Sequence, residues 1–295
     1  MKAPLPTVAG VTPSSQWLPP GSWKTVVDFF RDHYPRVDVE TWTMRMTKGE
    51  VLDETGRQVD PETAYRVGAC IFYYREIENE KVIPFVEHVL YQDEHILVAD
   101  KPHFLPVIPS GKFLHQTLLV RLRKRHNLQD LVPLHRLDRE TGGVVLFSVN
   151  RATRSHYTSL FQNRKIKKVY EAVAPTLYAA SLPTTRRSRI VRGEPFFRMK
   201  EVSGDDNSET YISAIRNLGG NTLYQLIPFT GKKHQLRLHL SALEIPIIND
   251  KLYPALIRSH EEEDFSLPLK LLARSLSFQD PLTGQERYFE SGFKL

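Results

Sequence analysis

Residues 135–143 read His-Arg-Leu-Asp-Arg-Glu-Thr-Gly-Gly and run directly into Val144-Val145-Leu146-Phe147-Ser148-Val149. The second half is a continuous apolar run behind a turn signal, the pattern of a strand buried on both faces. The first half is a dense polar cluster, and a polar loop feeding a rigid strand is a common way to present reactive side chains. Asp138, with Arg136 and Arg139 on either side, suits an ionised carboxylate acting as a nucleophile or charge stabiliser. Thr141-Gly142-Gly143 lets the backbone approach another group closely. Taken alone, the aspartate also suits a turn in which it accepts local N–H groups.

Working outward, Ile96–Ala99 reads as a second buried strand. Leu114, Leu118 and Leu122 fall at helical spacing, and Ala152, His156, Leu160 and Phe161 suggest another helix. Residues 168–174, 210–215 and 222–227 read as strands. Residues 233–243 read as a helix with Leu236, Leu240 and Leu243 inward. Residues 276–279 and 287–290 flank the turn Asp280-Pro281-Leu282-Thr283-Gly284, which predicts a hairpin. This is an α+β mixture without regular βαβ alternation, assigned to one body over 83–295. A small unit over 22–82 is expected before it. There Ser22 caps a helix carrying Val26, Val27, Phe29 and Phe30, and Val67–Tyr74 forms a strand. Residues 1–21 hold five of the twenty prolines and read as an extended tail, either free or packed across the body through Trp17 and Leu18.

The 295 residues are 41% hydrophobic and 25% charged, an ordinary globular composition, with a formal net charge of +6. Cys70 is the single cysteine, so no internal disulfide is possible, and a cytoplasmic setting is expected. No apolar run approaches a membrane span, and no secretory signal is visible. Between Lys112 and Lys168 stand thirteen Lys/Arg against three Asp/Glu. Arg186, Arg187, Arg189, Arg192, Arg198 and Lys200 form a further basic group, and acidic residues such as Glu261–Asp264 lie elsewhere. This asymmetry favours a phosphate backbone as partner over a merely solvated surface.

Two more segments carry chemistry. In Thr230-Gly231-Lys232-Lys233-His234-Gln235-Leu236-Arg237-Leu238-His239 a glycine precedes a helix with cationic opening residues, and Arg237 can aim a guanidinium fork at a carboxylate. His234 and His239 are five apart, a poor spacing for zinc, and no metal is expected. In Lys167-Lys168-Val169-Tyr170-Glu171-Ala172, Tyr170 and Ala172 share a strand face, where the tyrosine serves either as core or as a platform for a base. No GxxxxGK[ST], GxGxxG or GxSxG motif occurs, so nucleotide-cofactor and serine-hydrolase chemistry have no support.

Together these segments resemble the RluA-type family of RNA pseudouridine synthases. The blocks are His135-Arg136-Leu137-Asp138-x-x-Thr141-x-Gly143, Lys168-x-Tyr170-x-Ala172 and Gly231-x-x-His234-Gln235-Leu236-Arg237-x-His239. They continue with Pro246-Ile247-x-x-Asp250-x-x-Tyr253, then Leu271-Leu272-Ala273 and Leu276-x-Phe278-x-x-Pro281-x-x-Gly284. Residues 22–75 resemble a degenerate αL-type RNA-binding domain. Gly142 stands where the family usually has Ser, Lys232-Lys233 replaces Arg-Thr, Leu272 replaces a common His, and Asn249 replaces Gly.

The resemblance implies a pseudouridine synthase fold with a mixed, mostly antiparallel central sheet flanked by helices. It implies an isomerase that needs no cofactor and converts a uridine of structured RNA, ribosomal favoured over transfer RNA, to pseudouridine. Asp138 is then the essential carboxylate, with Arg237 as its partner and Tyr170 stacking on the base. Arg136 is expected to wedge into the vacated stack, and Leu271 to line the pocket. His135, Arg139, Thr141, Lys232, Lys233, His234 and Gln235 are expected at the RNA, His135 chiefly by orienting the loop, together with the basic run Arg121, Arg123, Lys124 and Arg125. A monomer is expected, with no membrane partner. The rivals are an inactive RNA-binding or chaperone protein of the same fold and an N-glycoside hydrolase, which commonly needs two paired carboxylates.

Overall fold

The computed structural model describes residues 3–178, 182–257 and 264–295; Glu261–Glu263 of the acidic run lie outside them. The chain divides into two compact units. The first comprises residues 1–81, 109–116 and 120–129. It contains β1 (Ser14–Trp17), α1 (Val26–His33), α2 (Val39–Thr47), β2 (Val51–Asp53), β3 (Cys70–Tyr73) and most of α3 (Leu118–His126). Its sheet has the order β1-β3-β2, with both pairs antiparallel.

The proline-rich start packs within this unit. Ser14–Trp17 pairs with Cys70–Tyr73, and Leu18 is buried in a core with Phe29, Phe30, Trp42 and Ile71. Thr25, rather than Ser22, caps α1. Asp28 at the third helical position completes a reciprocal capping box with it, satisfying two otherwise orphaned N–H groups.

The second unit holds an eleven-stranded sheet. Its strands are β4 (His88–Gln92), β5 (Ile96–Lys101), β6 (Val132–Pro133), β7 (Gly142–Ser148), β8 (Lys167–Pro175), β9 (Thr184–Arg192), β10 (Met199–Val202), β11 (Ser208–Asn217), β12 (Asn221–Pro228), β13 (Leu271–Gln279) and β14 (Glu286–Glu290). The main path runs β10-β9-β11-β12-β8-β13-β7-β5-β4, with β14 on β13 and β6 on β7. Every pair is antiparallel except β13 with β7. β5 and β7 are buried along their whole length, as the apolar runs 96–99 and 144–147 within them require.

Helix α4 (Arg154–Gln162) packs Tyr157 and Leu160 against Ile96, Val144 and Leu146. Helix α5 (Gln235–Ala242) packs Leu236 and Leu240 against Ala172, Ile212 and Leu226. The α+β architecture with a mixed, mostly antiparallel sheet is the one expected. Among the described residues, no helix is long and apolar enough to cross a membrane.

Candidate active site

The loop carrying Asp138 joins β6 to β7, and three groups hold its backbone. The His135 ring stacks on Phe161 at 4.9 Å, and its Nε2 accepts the Leu146 N–H at 3.0 Å. Burial, helped by the Lys168 charge, pushes His135 down to about 3, so it is a neutral acceptor that fixes the loop. Lys101, fully buried at the end of β5, donates from Nζ to the carbonyls of Pro102, Leu105 and Arg139 at 3.0, 2.8 and 3.1 Å. Burial lowers its ammonium to about 7, against the opposing charges of Glu140 and Asp138. His103, lowered to about 4 mainly by burial, donates from Nδ1 to the Glu140 carbonyl at 2.6 Å. Asp138 itself closes a turn in which its carbonyl accepts the Thr141 N–H at 3.1 Å.

Gly143 makes the close approach that the Gly-Gly pair suggests. Its φ is +111°, and a Cβ there would stand 2.2 Å from the Ala273 carbonyl oxygen across the parallel β7–β13 pair. Only glycine permits this strand contact, which brings the Asp138 loop beside Leu271–Ala273.

The Asp138 side chain keeps 26% exposure. Its Oδ2 lies 3.5 Å from Arg237 Nη1 and its Oδ1 3.8 Å from His234 Nε2. Arg237 is the expected neighbour, but its fork grips another acid. Nε and Nη2 donate to the two oxygens of Asp250 at 2.7 and 2.6 Å. Asp250 is buried and also accepts the Leu252 and Tyr253 N–H groups. Burial alone would lower the Arg237 pKa; the hydrogen bonds and charge of Asp250, then Asp138 and Glu140, raise it on balance. Glu140 Oε2 stands 4.0 Å from Arg237 Nη1. Although burial opposes it, the charges of Arg139 and Arg237 hold Glu140 below the usual carboxylate range.

Tyr170 lies on β8 opposite Ala273 and Leu226, packed on the cluster that includes Leu236 and Leu271. Burial first, then the Asp138 charge, raises its phenol, so it is a protonated donor with an apolar ring face. Tyr170, Leu271 and Arg237 come from strand and helix segments, and Asp138 from the β6–β7 loop, of one unit.

The remaining expected RNA contacts divide. Arg136, Lys232 and Lys233 are exposed, as are Lys124 and Arg125 in the first unit. Arg121 is half-buried and donates to Gln116. Arg123 is buried, and its Nη1 donates to the Gly10 carbonyl at 3.2 Å; it braces the first unit and is not a phosphate contact. Gln235 is buried too. It donates to the Glu209 carbonyl and Thr210 and accepts from Thr230 and the Lys232 N–H, so all its capacity is used inside the protein. Thr141 is buried, and Arg139 pairs with Glu140 at 3.0 Å. Among the described residues, no cluster of His, Cys, Asp or Glu is arranged to hold a metal.

Lys101 and His103 escape a reading for motifs. The available signal is the lysine closing a strand that is apolar from Ile96 to Ala99, a place where a charge is buried and must find carbonyls.

Comparison with known proteins bears on the family and the fold. The sequence profile of RNA pseudouridylate synthase matches residues 95–242, half the chain. An uncharacterised RNA pseudouridine synthase of Synechocystis is 28% identical over 233 residues, covering 77% of this chain and 79% of that protein. The dual-specificity RNA pseudouridine synthase RluA of Haemophilus influenzae is 29% identical over 217 residues, 72% of this chain and 95% of its own length. Human pseudouridylate synthase RPUSD2 is 32% identical, but the match spans only 30% of it. The solved human RNA pseudouridylate synthase domain containing 4 superposes with a TM-score of 0.54 at 26% identity, over 70% of this chain and 88% of that one. The chain belongs to the RNA pseudouridylate synthase family of isomerases, as an RluA-type member.

Proposed function

We propose that this protein isomerises a uridine of structured RNA to pseudouridine, with Asp138 as the essential carboxylate. The observation that carries the reading is one partly exposed carboxylate 3.5 Å from a buried, anchored guanidinium, in a unit that also fixes Tyr170. In the reaction the N1–C1′ bond of the uridine breaks, the base turns, and a C5–C1′ bond forms. The C5 proton leaves and N1 gains one, so nothing is oxidised and no cofactor is required. Asp138 either attacks C1′ or the base ring, or removes a sugar proton; each route needs its charge beside Arg237.

Tyr170 offers a ring face to the base and a hydroxyl donor. Leu271 and its neighbours keep the detached base dry. Uracil inside a stack cannot reach such a site, so the nucleotide must flip, at a cost of a few kcal/mol. In this reading exposed Arg136, two residues from Asp138, fills the gap. Lys232 and Lys233 hold phosphates. A small RNA-binding-like first unit presenting Lys124 and Arg125 adds basic surface and favours a large RNA, ribosomal over transfer.

The test uses a transcribed RNA carrying tritium at uridine C5. Wild-type protein should release tritium to water and leave pseudouridine in the chain, and Asp138→Asn should abolish both. Full activity in Asp138→Asn would end the mechanism. Release of free uracil would instead indicate a glycoside hydrolase, and binding without tritium release an inactive RNA-binding protein.

A further inference from the structure

His234 stands just before α5 with a left-handed backbone, φ 57° and ψ 16°, and its side chain is only 6% exposed. A non-glycine residue held there carries strain of about 1–3 kcal/mol, and such strain gathers at functional positions. The side chain is fixed by Tyr253, whose hydroxyl lies 2.8 Å from His234 Nδ1. Tyr253 is buried, and its hydroxyl oxygen already accepts the Met199 N–H at 2.8 Å. Among the described residues Nδ1 is the one acceptor within hydrogen-bond distance of the hydroxyl proton, so Tyr253 donates to Nδ1, and the imidazole carries its own proton on Nε2. Nε2 faces Asp138 Oδ1 at 3.8 Å, while the other oxygen of the same carboxylate faces Arg237.

We propose that His234 is a positioning residue for the isomerisation, and not a phosphate contact. Its Nε2–H donates to Asp138 Oδ1 once a nucleotide occupies the site, and Tyr253 sets the tautomer that makes this possible. The carboxylate is then held at both oxygens, by guanidinium on one side and imidazole on the other, with its orientation toward the ribose fixed. Closing 3.8 Å to a normal hydrogen-bond length takes a shift of about 0.9 Å. Catalytic hydrogen bonds commonly tighten by such amounts when substrate binds. The proposal rests on Asp138 being the essential carboxylate.

The experiment measures single-turnover rate and RNA Kd for His234→Leu, His234→Gln, Tyr253→Phe and the His234→Leu/Tyr253→Phe double variant, with Asp138→Asn alongside. His234→Leu should lower the rate about 10–100-fold, the worth of one hydrogen bond to a charged group, with Kd unchanged. His234→Gln, which keeps an N–H at the same reach, should recover most of it. Tyr253→Phe should lower the rate less, and should add nothing in the His234→Leu background, because it acts through the imidazole.

A wild-type rate in His234→Leu, a loss confined to Kd, no recovery in His234→Gln, or multiplicative effects in the double variant would overturn the assignment. Should His234→Leu not fold, Tyr253→Phe decides alone: a reduced rate at unchanged Kd supports the role and an unchanged rate refutes it. An inactive Asp138→Asn beside indifferent His234 variants sinks only this role, whereas an active Asp138→Asn sinks the function itself.

Discussion

Replacing Arg237 with lysine keeps the charge and removes the fork. The guanidinium makes two short bonds to Asp250, at 2.6 and 2.7 Å, while its third nitrogen reaches Asp138 at 3.5 Å and Glu140 at 4.0 Å. One ammonium cannot serve these separate directions. The Asp250 side chain is 1% exposed and that of Asp138 26%, so the ammonium stays with Asp250, which has no access to water. One of the two bonds to Asp250 is lost, at about 1.5–3 kcal/mol for a hydrogen bond to a charged group. In a domain of this size that lowers the unfolding midpoint by about 3–12 °C. Asp138 loses its nearest cation at the same time. Thermal unfolding followed by circular dichroism should show the shift. Tritium release measured well below the variant's midpoint should fall far more than the folded fraction does. Arg237→Ala should cost more, about 3–5 kcal/mol, because it strands the Asp250 charge. A wild-type midpoint in Arg237→Lys would refute the anchoring role of Asp250, and a lowered midpoint with full turnover would refute the link to Asp138.

The two neighbouring glycines should behave differently. Gly143→Ala drives a Cβ to 2.2 Å from backbone at φ +111° and should cost about 3 kcal/mol or more in denaturant unfolding. Gly142→Ala has the His103 ring as its nearest neighbour, at 3.0 Å, and should cost clearly less; equal losses would refute the packing argument. Stability should also fall with acid. His135 binds its proton at about 3 when folded, against an ordinary 6.5, so the unfolded chain takes up the proton first and the stabilisation present above pH 6.5 is lost as pH falls toward 3. Between pH 7 and pH 5 this amounts to about 2 kcal/mol. His135→Gln, which can still accept the Leu146 N–H, should lose that much less over the same interval in urea titrations; parallel pH profiles would refute the buried neutral ring.

What could be read in the sequence was chemical type and local period. Strands β5 and β7 follow from unbroken apolar runs, and Asp138, Tyr170 and Arg237 follow from motif order. Asn249 takes φ 64° where the family usually has glycine, a substitution that asparagine tolerates. The β7–β13 pairing was not legible, because Gly143 and Ala273 are far apart in the chain and meet only through tertiary structure. The harder matter is which charges face water. A basic, RNA-directed sequence places Arg and Gln both on its surface and inside it, and composition does not separate the two uses. Arg123 lies four residues after buried Leu119, on the same helix face and one residue off the Leu114, Leu118 and Leu122 period that predicts α3, and this turns it toward the Gly10 carbonyl and away from phosphate. Asp250 offers no such local signal. Its burial comes with Arg237 of α5 and the Leu252 and Tyr253 backbone closing around it, so the acid that holds Arg237 was legible as a motif residue but not as a partner. That division has a physical basis. A carboxylate that must act on a substrate keeps some access to the site and so cannot itself be the buried anchor; a second, fully enclosed acid has to hold the cation in place.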